Sequence, residues 1–222
     1  MPAIRRFWPT VVLAVSLAGL AGLCAFAWIR EDPALDYAVR EFFWNSRFRQ
    51  HDELIAQAAR RHGVSPSLVK AVVWRESSFQ SHMRGAHGER GLMQVTELAA
   101  TDWVNAEKIQ TFAPADLLDP KTNLDAGTWY LARALRHWSG KDDPVPFALA
   151  EYNAGRSRVK RWNRDSKGDG ETTAADLRAA MDFPSTRQYI ASIIERYRAY
   201  LARGEFRENP SSPAIREPGI QD

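Results

Sequence analysis

From residue 52 to residue 201 apolar side chains recur at helical spacing, and no stretch alternates with period two for long enough to form a strand. That pattern restricts the chain to an all-α fold. Asp52 can cap a helix carrying Leu54, Ile55 and Ala58, which Gly63 ends. Ser65 followed by Pro66 is a helix N-cap with proline at the first helical position. Residues 80–91, rich in glycine and polar groups, read as a loop. The pattern predicts a helix from about Val95 to Val104. Asp119-Pro120 opens another, with Leu124, Leu131, Leu135 and Trp138 on one face. Lys141 to Pro144 is a turn, and Pro146 starts a short apolar helix that ends at Gly155. The last helix begins near Ser185 and carries Ile190, Ile193, Ile194, Tyr197 and Leu201. The tail from Glu205 holds three prolines and is expected to be disordered.

One helix carries a residue that packing alone does not explain. Val69, Val72, Val73 and Glu76 fall at i, i+3, i+4 and i+7 of the helix that Ser65 caps, which is a single stripe. A carboxylate closing an apolar stripe is costly to ionise. Desolvation raises its pKa, and a carboxylic acid still protonated near neutral pH can act as a general acid. The stripe is equally compatible with a structural ion pair, for instance with Arg84 or Arg90.

The N-terminus is of a different kind. Arg5 and Arg6 precede an uncharged run from Phe7 to Ile29, long enough to cross a bilayer. The positive flank is N-terminal, which directs the remainder of the chain out of the cytoplasm. The run is either an uncleaved anchor or a signal peptide cut after Ala25-Phe26-Ala27. Cys24, the one cysteine, lies inside it and follows the bulky Leu23, a poor context for lipid attachment. The folded part therefore has no disulfide and no cysteine-based metal site. His82 and His87 have the wrong spacing for two ligands on one helix face, so no metal and no cofactor are expected. With 30 basic against 27 acidic side chains and no long basic block, nucleic acid is not an expected partner. Eight Trp, ten Phe and six Tyr suit a packed core or a groove that holds sugar rings.

Four segments occur in order: Glu76-Ser77-Ser78-Phe79, Gly91-Leu92-Met93-Gln94, Ala150-Glu151-Tyr152-Asn153-Ala154-Gly155, and Phe183-Pro184-Ser185-Thr186-Arg187-Gln188-Tyr189-Ile190. Together they resemble the lytic transglycosylases of the soluble-type (SLT) family, over roughly residues 52–202. The resemblance implies a mainly α-helical, lysozyme-like domain with a sugar-binding groove. It implies cleavage of the β-1,4 bond between N-acetylmuramic acid and N-acetylglucosamine in peptidoglycan, leaving a 1,6-anhydromuramic acid end. Glu76 matches the single catalytic acid. Met93 and Gln94 match the segment lining the groove beside it, Tyr152 and Asn153 the pair facing the acid and the substrate acetamide, and Tyr189 a groove tyrosine. Ser77, next to the acid, is expected to hydrogen-bond backbone.

The resulting organisation is a signal anchor or signal peptide over 1–29, a tether over 30–51, the SLT domain over 52–203 and a tail over 204–222. The expected partners are glycan strands and, through the N-terminal segment, the membrane. The expected location is the cell envelope, on the periplasmic side of the inner membrane. The chain also departs from the family pattern. Gly85 stands where many members have serine, and Gly88-Glu89-Arg90-Gly91 carries two charges where small residues are usual. Val95-Thr96-Glu97 replaces the familiar apolar and proline residues, and Ser185 stands where glutamate is common. Two rival functions use the same scaffold: a hydrolase in which Glu89 or Glu97 places a water, and a glycan-binding module that does not cleave.

Overall fold

The computed structural model describes residues 41, 45–165 and 172–208. The chain divides at Arg49, and a five-residue helix, Asn45–Arg49, closes the first unit. Among the described residues of the second unit, regular structure is all helical apart from two isolated backbone bridges, Arg84 with Arg90 and Arg90 with Val95. The expected segment from Phe7 to Ile29 lies outside the described residues. No helix among the described residues is long and apolar enough to cross a membrane.

Helix α1 (Asp52–His62) ends at Gly63, whose φ of 69° is the left-handed conformation that glycine adopts without strain. Helix α2 (Pro66–Ser77) starts where its cap predicts: the Ser65 side chain accepts from the Leu68 amide at 3.3 Å. Helix α3 (Glu97–Glu107) begins two residues later than expected because Thr96 takes the cap, accepting from Ala99 at 3.2 Å. A 3₁₀ turn, Pro114–Leu118, leads into α4 (Pro120–His137), capped by Asp119. Helix α5 (Pro144–Ala154) starts at the first proline rather than the second, because Asp143 accepts from Val145. Helix α6 (Arg156–Asp165) and helix α7 (Ala174–Ala180) were not expected from the sequence. Helix α8 (Pro184–Arg203) closes the unit.

The core is built around α2. Helices α1 and α8 pack against it, α4 packs on α1 and α5, and α5 bridges α6 and α8. Helix α2 buries most of its circumference, including Leu68, Val69, Ala71, Val72 and Val73. It also buries Lys70, only 1% exposed, between Asp52 at 2.9 Å and Glu205 at 2.7 Å. A buried ammonium is tolerable only with such partners. The contact corrects the expectation of a tail disordered from Glu205. The Ser65 and Ser67 hydroxyls donate to Glu208, so residues 205–208 lie along the N-terminal half of α2. Residues 209–222 lie outside the described residues.

Candidate active site

Glu76 sits in the last turn of α2. Val69, Val72 and Val73, lower on the same stripe, are fully buried, while Glu76 emerges half-buried at the edge of a cleft. The helix stops just beyond it. Ser78 and Phe79 take left-handed φ of 49° and 62°, and the Ser78 amide donates to Trp74 at 3.0 Å. Ser77 donates its hydroxyl to the Val73 carbonyl at 3.2 Å. The ion pairs open to Glu76 from sequence are not the ones formed: the Arg90 guanidinium lies 3.7 Å from Glu97.

The cleft has a volume of about 360 Å³ and is lined by the end of α2, the loop before α3, the end of α5 and the start of α8. The Gly91-Leu92-Met93-Gln94 turn reaches the cleft through Gln94. Gly91 has φ of 76°, and a Cβ there would lie 2.3 Å from the Leu117 carbonyl, so only glycine fits. Buried Asn123 of α4 clamps this turn. It accepts from the Met93 amide at 2.8 Å and donates to the Arg90 and Leu117 carbonyls at 2.7 and 2.8 Å. Gln94 lines the cleft, with its side chain folded back to donate to the Gly91 carbonyl at 2.8 Å.

Met93 differs from its expected role in lining the groove. Its side chain is fully buried and its sulfur accepts from Thr128 at 3.6 Å, because Gly127 leaves room for it against α4. Its carbonyl is what serves the cleft, accepting from the Tyr152 hydroxyl at 2.8 Å. Tyr152 packs edge-on against Tyr130 at 5.7 Å, and the Arg133 guanidinium lies 4.4 Å from the Tyr130 ring. Asn153, also in the wall, accepts from the Thr186 hydroxyl of α8 at 2.8 Å. Glu151, the residue before Tyr152, is buried against Trp138 Nε1 at 2.8 Å and His137 Nδ1 at 2.7 Å, tying α5 to α4. Tyr189 of α8 donates its hydroxyl to Glu76 Oε1 at 2.6 Å. Five of the six expected site residues therefore line one cleft, and Met93 supports it from beneath.

Burial pushes the Glu76 carboxyl up to about 7, with the Glu89 charge adding to the rise. The Tyr189 hydrogen bond and the Arg75 guanidinium pull it down without cancelling the burial. Burial, then the Glu76 charge, hold the Tyr152 and Tyr189 phenols well above their ordinary range, so both remain hydroxyl donors at neutral pH. The site thus keeps a carboxylic acid partly protonated near neutrality, hydrogen-bonded on one oxygen and open to the cleft.

Five further residues line the cleft: Arg75, Gly85, Ala86, Glu89 and Thr96. The signal for three of them was the departure from the family pattern at 85, 89 and 96. The guanidinium of Arg75 lies 5.5 Å from the Tyr189 ring, a contact no local pattern encodes. Among the described residues no three His, Cys, Asp or Glu side chains gather as a metal site would require.

Residues 53–174 match the transglycosylase SLT domain. The soluble lytic murein transglycosylase of Salmonella typhimurium is 28% identical over 203 residues, 88% of this chain and 30% of that protein. The membrane-bound lytic murein transglycosylase F of Desulfosudis oleivorans is 33% identical over 127 residues, 56% of this chain and 25% of that protein. Among solved structures, a complex of a 70-kDa soluble lytic transglycosylase with bulgecin A superposes with a TM-score of 0.63 at 25% identity, over 77% of this chain and 26% of that one. The chain thus spans under a third of the length of these relatives. It belongs to the transglycosylase SLT family and has that family's lysozyme-like, mainly α-helical fold.

Proposed function

We propose that the chain cleaves the β-1,4 bond between N-acetylmuramic acid and N-acetylglucosamine in peptidoglycan, as a lytic transglycosylase. The observation that carries this reading is Glu76: a half-buried carboxyl with a pKa of about 7, facing a cleft large enough for sugar rings. Protonated Glu76 donates to the glycosidic oxygen as the bond breaks. The substrate's own acetamide then stabilises the anomeric carbon, so the enzyme supplies no nucleophile. Tyr152 spends its proton on the Met93 carbonyl, which leaves its oxygen able to accept from the acetamide N–H. Asn153 accepts from Thr186, which orients the amide and leaves its NH₂ for the substrate. Ionised Glu76, steadied by the Tyr189 hydroxyl, takes the proton of the muramic acid 6-hydroxyl. That oxygen closes on the anomeric carbon and gives the 1,6-anhydro end. Closure within one molecule is favoured because effective molarities of well-oriented groups reach about 10⁵ M or more.

The membrane and location belong to the same proposal. The uncharged run from Phe7 to Ile29 behind Arg5 and Arg6 supports export to the periplasmic side of the inner membrane, as an anchor or a cleaved signal. Mass spectrometry of peptidoglycan digested by the full chain tests the chemistry. 1,6-Anhydromuramic acid as the main new end is expected, and its absence overturns the transglycosylase reading. A reporter fused after the domain tests export, which activity confined to the cytoplasm refutes.

A further inference from the structure

The cleft holds a second carboxylate that takes no proton in the reaction just described. Of the residues lining it, Glu76 and Glu89 are the two acids. The other acid near in sequence, Glu97, is 63% exposed, turned towards Arg90, and absent from the walls.

Glu89 is held in place by its own loop. The Gly85 amide donates to its carbonyl at 2.8 Å, which closes the 85–89 turn. Its Oε2 accepts from the His87 amide at 2.9 Å. The carboxylate then occupies the room above Gly85: a Cβ on residue 85 would lie 2.2 Å from Glu89 Oε2 and 2.9 Å from Gln94 Oε1. A side chain at 85 would displace the Glu89 carboxylate from this position, so the glycine leaves the room that the glutamate occupies. The charge at Glu89 reaches Glu76, whose carboxyl it helps keep protonated. Burial is the largest single influence on the Glu89 carboxyl and raises it, but the backbone amides of Glu89 and His87 together with the His87 side chain outweigh it and hold the carboxyl below its ordinary value, so Glu89 stays ionised. A protonated carboxyl and an ionised one, set apart by environment in a single cleft, make an acid–base pair.

We propose that Glu89 is a general base that admits water to the anomeric carbon, giving this cleft a hydrolytic branch beside intramolecular closure. The inference rests on the reading of Glu76 as the acid. In this branch Glu76 gives its proton to the glycosidic oxygen, the bond to the anomeric carbon breaks, and the leaving sugar departs as an alcohol. A water oxygen bonds to the anomeric carbon while Glu89 takes one of its protons. Solvent then removes that proton from Glu89 and returns one to Glu76. One water is consumed and one reducing muramic acid end is formed, with no other reactant.

Digestion of peptidoglycan in ¹⁸O-labelled water by the full chain separates the branches. Labelled reducing ends are expected beside unlabelled anhydro ends. Glu89→Gln, which keeps the shape and loses the base, should lower the ratio of labelled to anhydro ends at least about tenfold. Gly85→Ser, which fills the space Glu89 uses, should lower the same ratio without touching residue 89, and circular dichroism checks that both variants fold. Wild-type ends without label overturn the inference, as does a ratio that neither substitution moves. Labelled ends alone, still dependent on Glu89, support it and overturn the closure step proposed above. No new ends of either kind overturn both readings.

Discussion

The Tyr189 hydroxyl donates to Glu76 Oε1 at 2.6 Å, joining α8 to the last turn of α2 across 113 residues of chain. The bond lowers the carboxyl's pKa, because a donated proton favours the ionised form, while burial does the opposite and prevails. Tyr189→Phe removes the donor and keeps the ring. The Glu76 pKa should then rise beyond about 7, and the alkaline limb of the activity–pH profile should move up with it. The maximal rate should fall by about tenfold to a hundredfold, the worth of a hydrogen bond to a charged group of about 1.5–3 kcal/mol. A profile that stays in place would detach Tyr189 from the acid's titration.

Glu76→Gln should abolish release of muramic acid ends, by about 10²–10⁴-fold or more, with an unchanged circular dichroism spectrum. It should also change stability in a pH-dependent direction. The folded-state pKa of about 7 lies above the ordinary 4.5. Stability from this group is thus fully present below about pH 4.5 and lost as pH rises through about 7, because the unfolded chain ionises first. The variant has no such loss, so it should gain on the wild type between pH 5 and pH 8, by at most about 3 kcal/mol. Water at the half-buried carboxyl reduces that figure. Urea midpoints at the two pH values measure it, and an equal difference at both would contradict the assignment of the raised pKa.

Gly127→Ala tests the support beneath the cleft. Its Cβ would lie 2.6 Å from Met93 Sδ and 2.7 Å from Met93 Cβ, the latter too close to the backbone to swing aside. Overpacking of this kind costs about 1–3 kcal/mol. The denaturation midpoint should fall accordingly. Activity should fall as well, because Met93 carries the carbonyl that Tyr152 bonds.

Lys70→Ala removes the buried ammonium that Asp52 and Glu205 share. Breaking such a pair from one side costs about 3–5 kcal/mol. The lower end is expected, because both carboxylates keep some contact with water. Lys70→Met, which keeps the packing against Tyr200 and Phe206, should recover part of the loss in a denaturant titration.

Much of the fold was legible because its signals are local. Ser65 with Pro66 and Asp119 with Pro120 set helix starts through bonds that span three residues, and Gly63 ends a helix through its own φ. Helix α6 escaped because its ten residues are mostly charged, with only Val159 and Trp162 buried. Seven-residue α7 offers Leu177 alone. Neither supplies enough apolar positions to reveal a period.

Glu76 stood out because a carboxylate closing a valine stripe is anomalous within one helix, and the order of four motifs gave it a family. What the sequence by itself determined is therefore the all-α class, the helix ends at Ser65, Asp119 and Gly63, and the carboxylate Glu76 with the residues gathered near it. Tertiary structure alone decided the rest. It turned Met93 into the core and left its carbonyl to the cleft, since Gly127 and Asn123, 34 and 30 residues further on, set the space and the hydrogen bond. It brought Glu205 back onto Lys70 across 135 residues. It also decided the protonation of Glu76, because desolvation and the opposing contacts of Tyr189, Arg75 and Glu89 act through space. Periodicity records which side of a helix is apolar, but what that side meets is settled by segments distant in the chain.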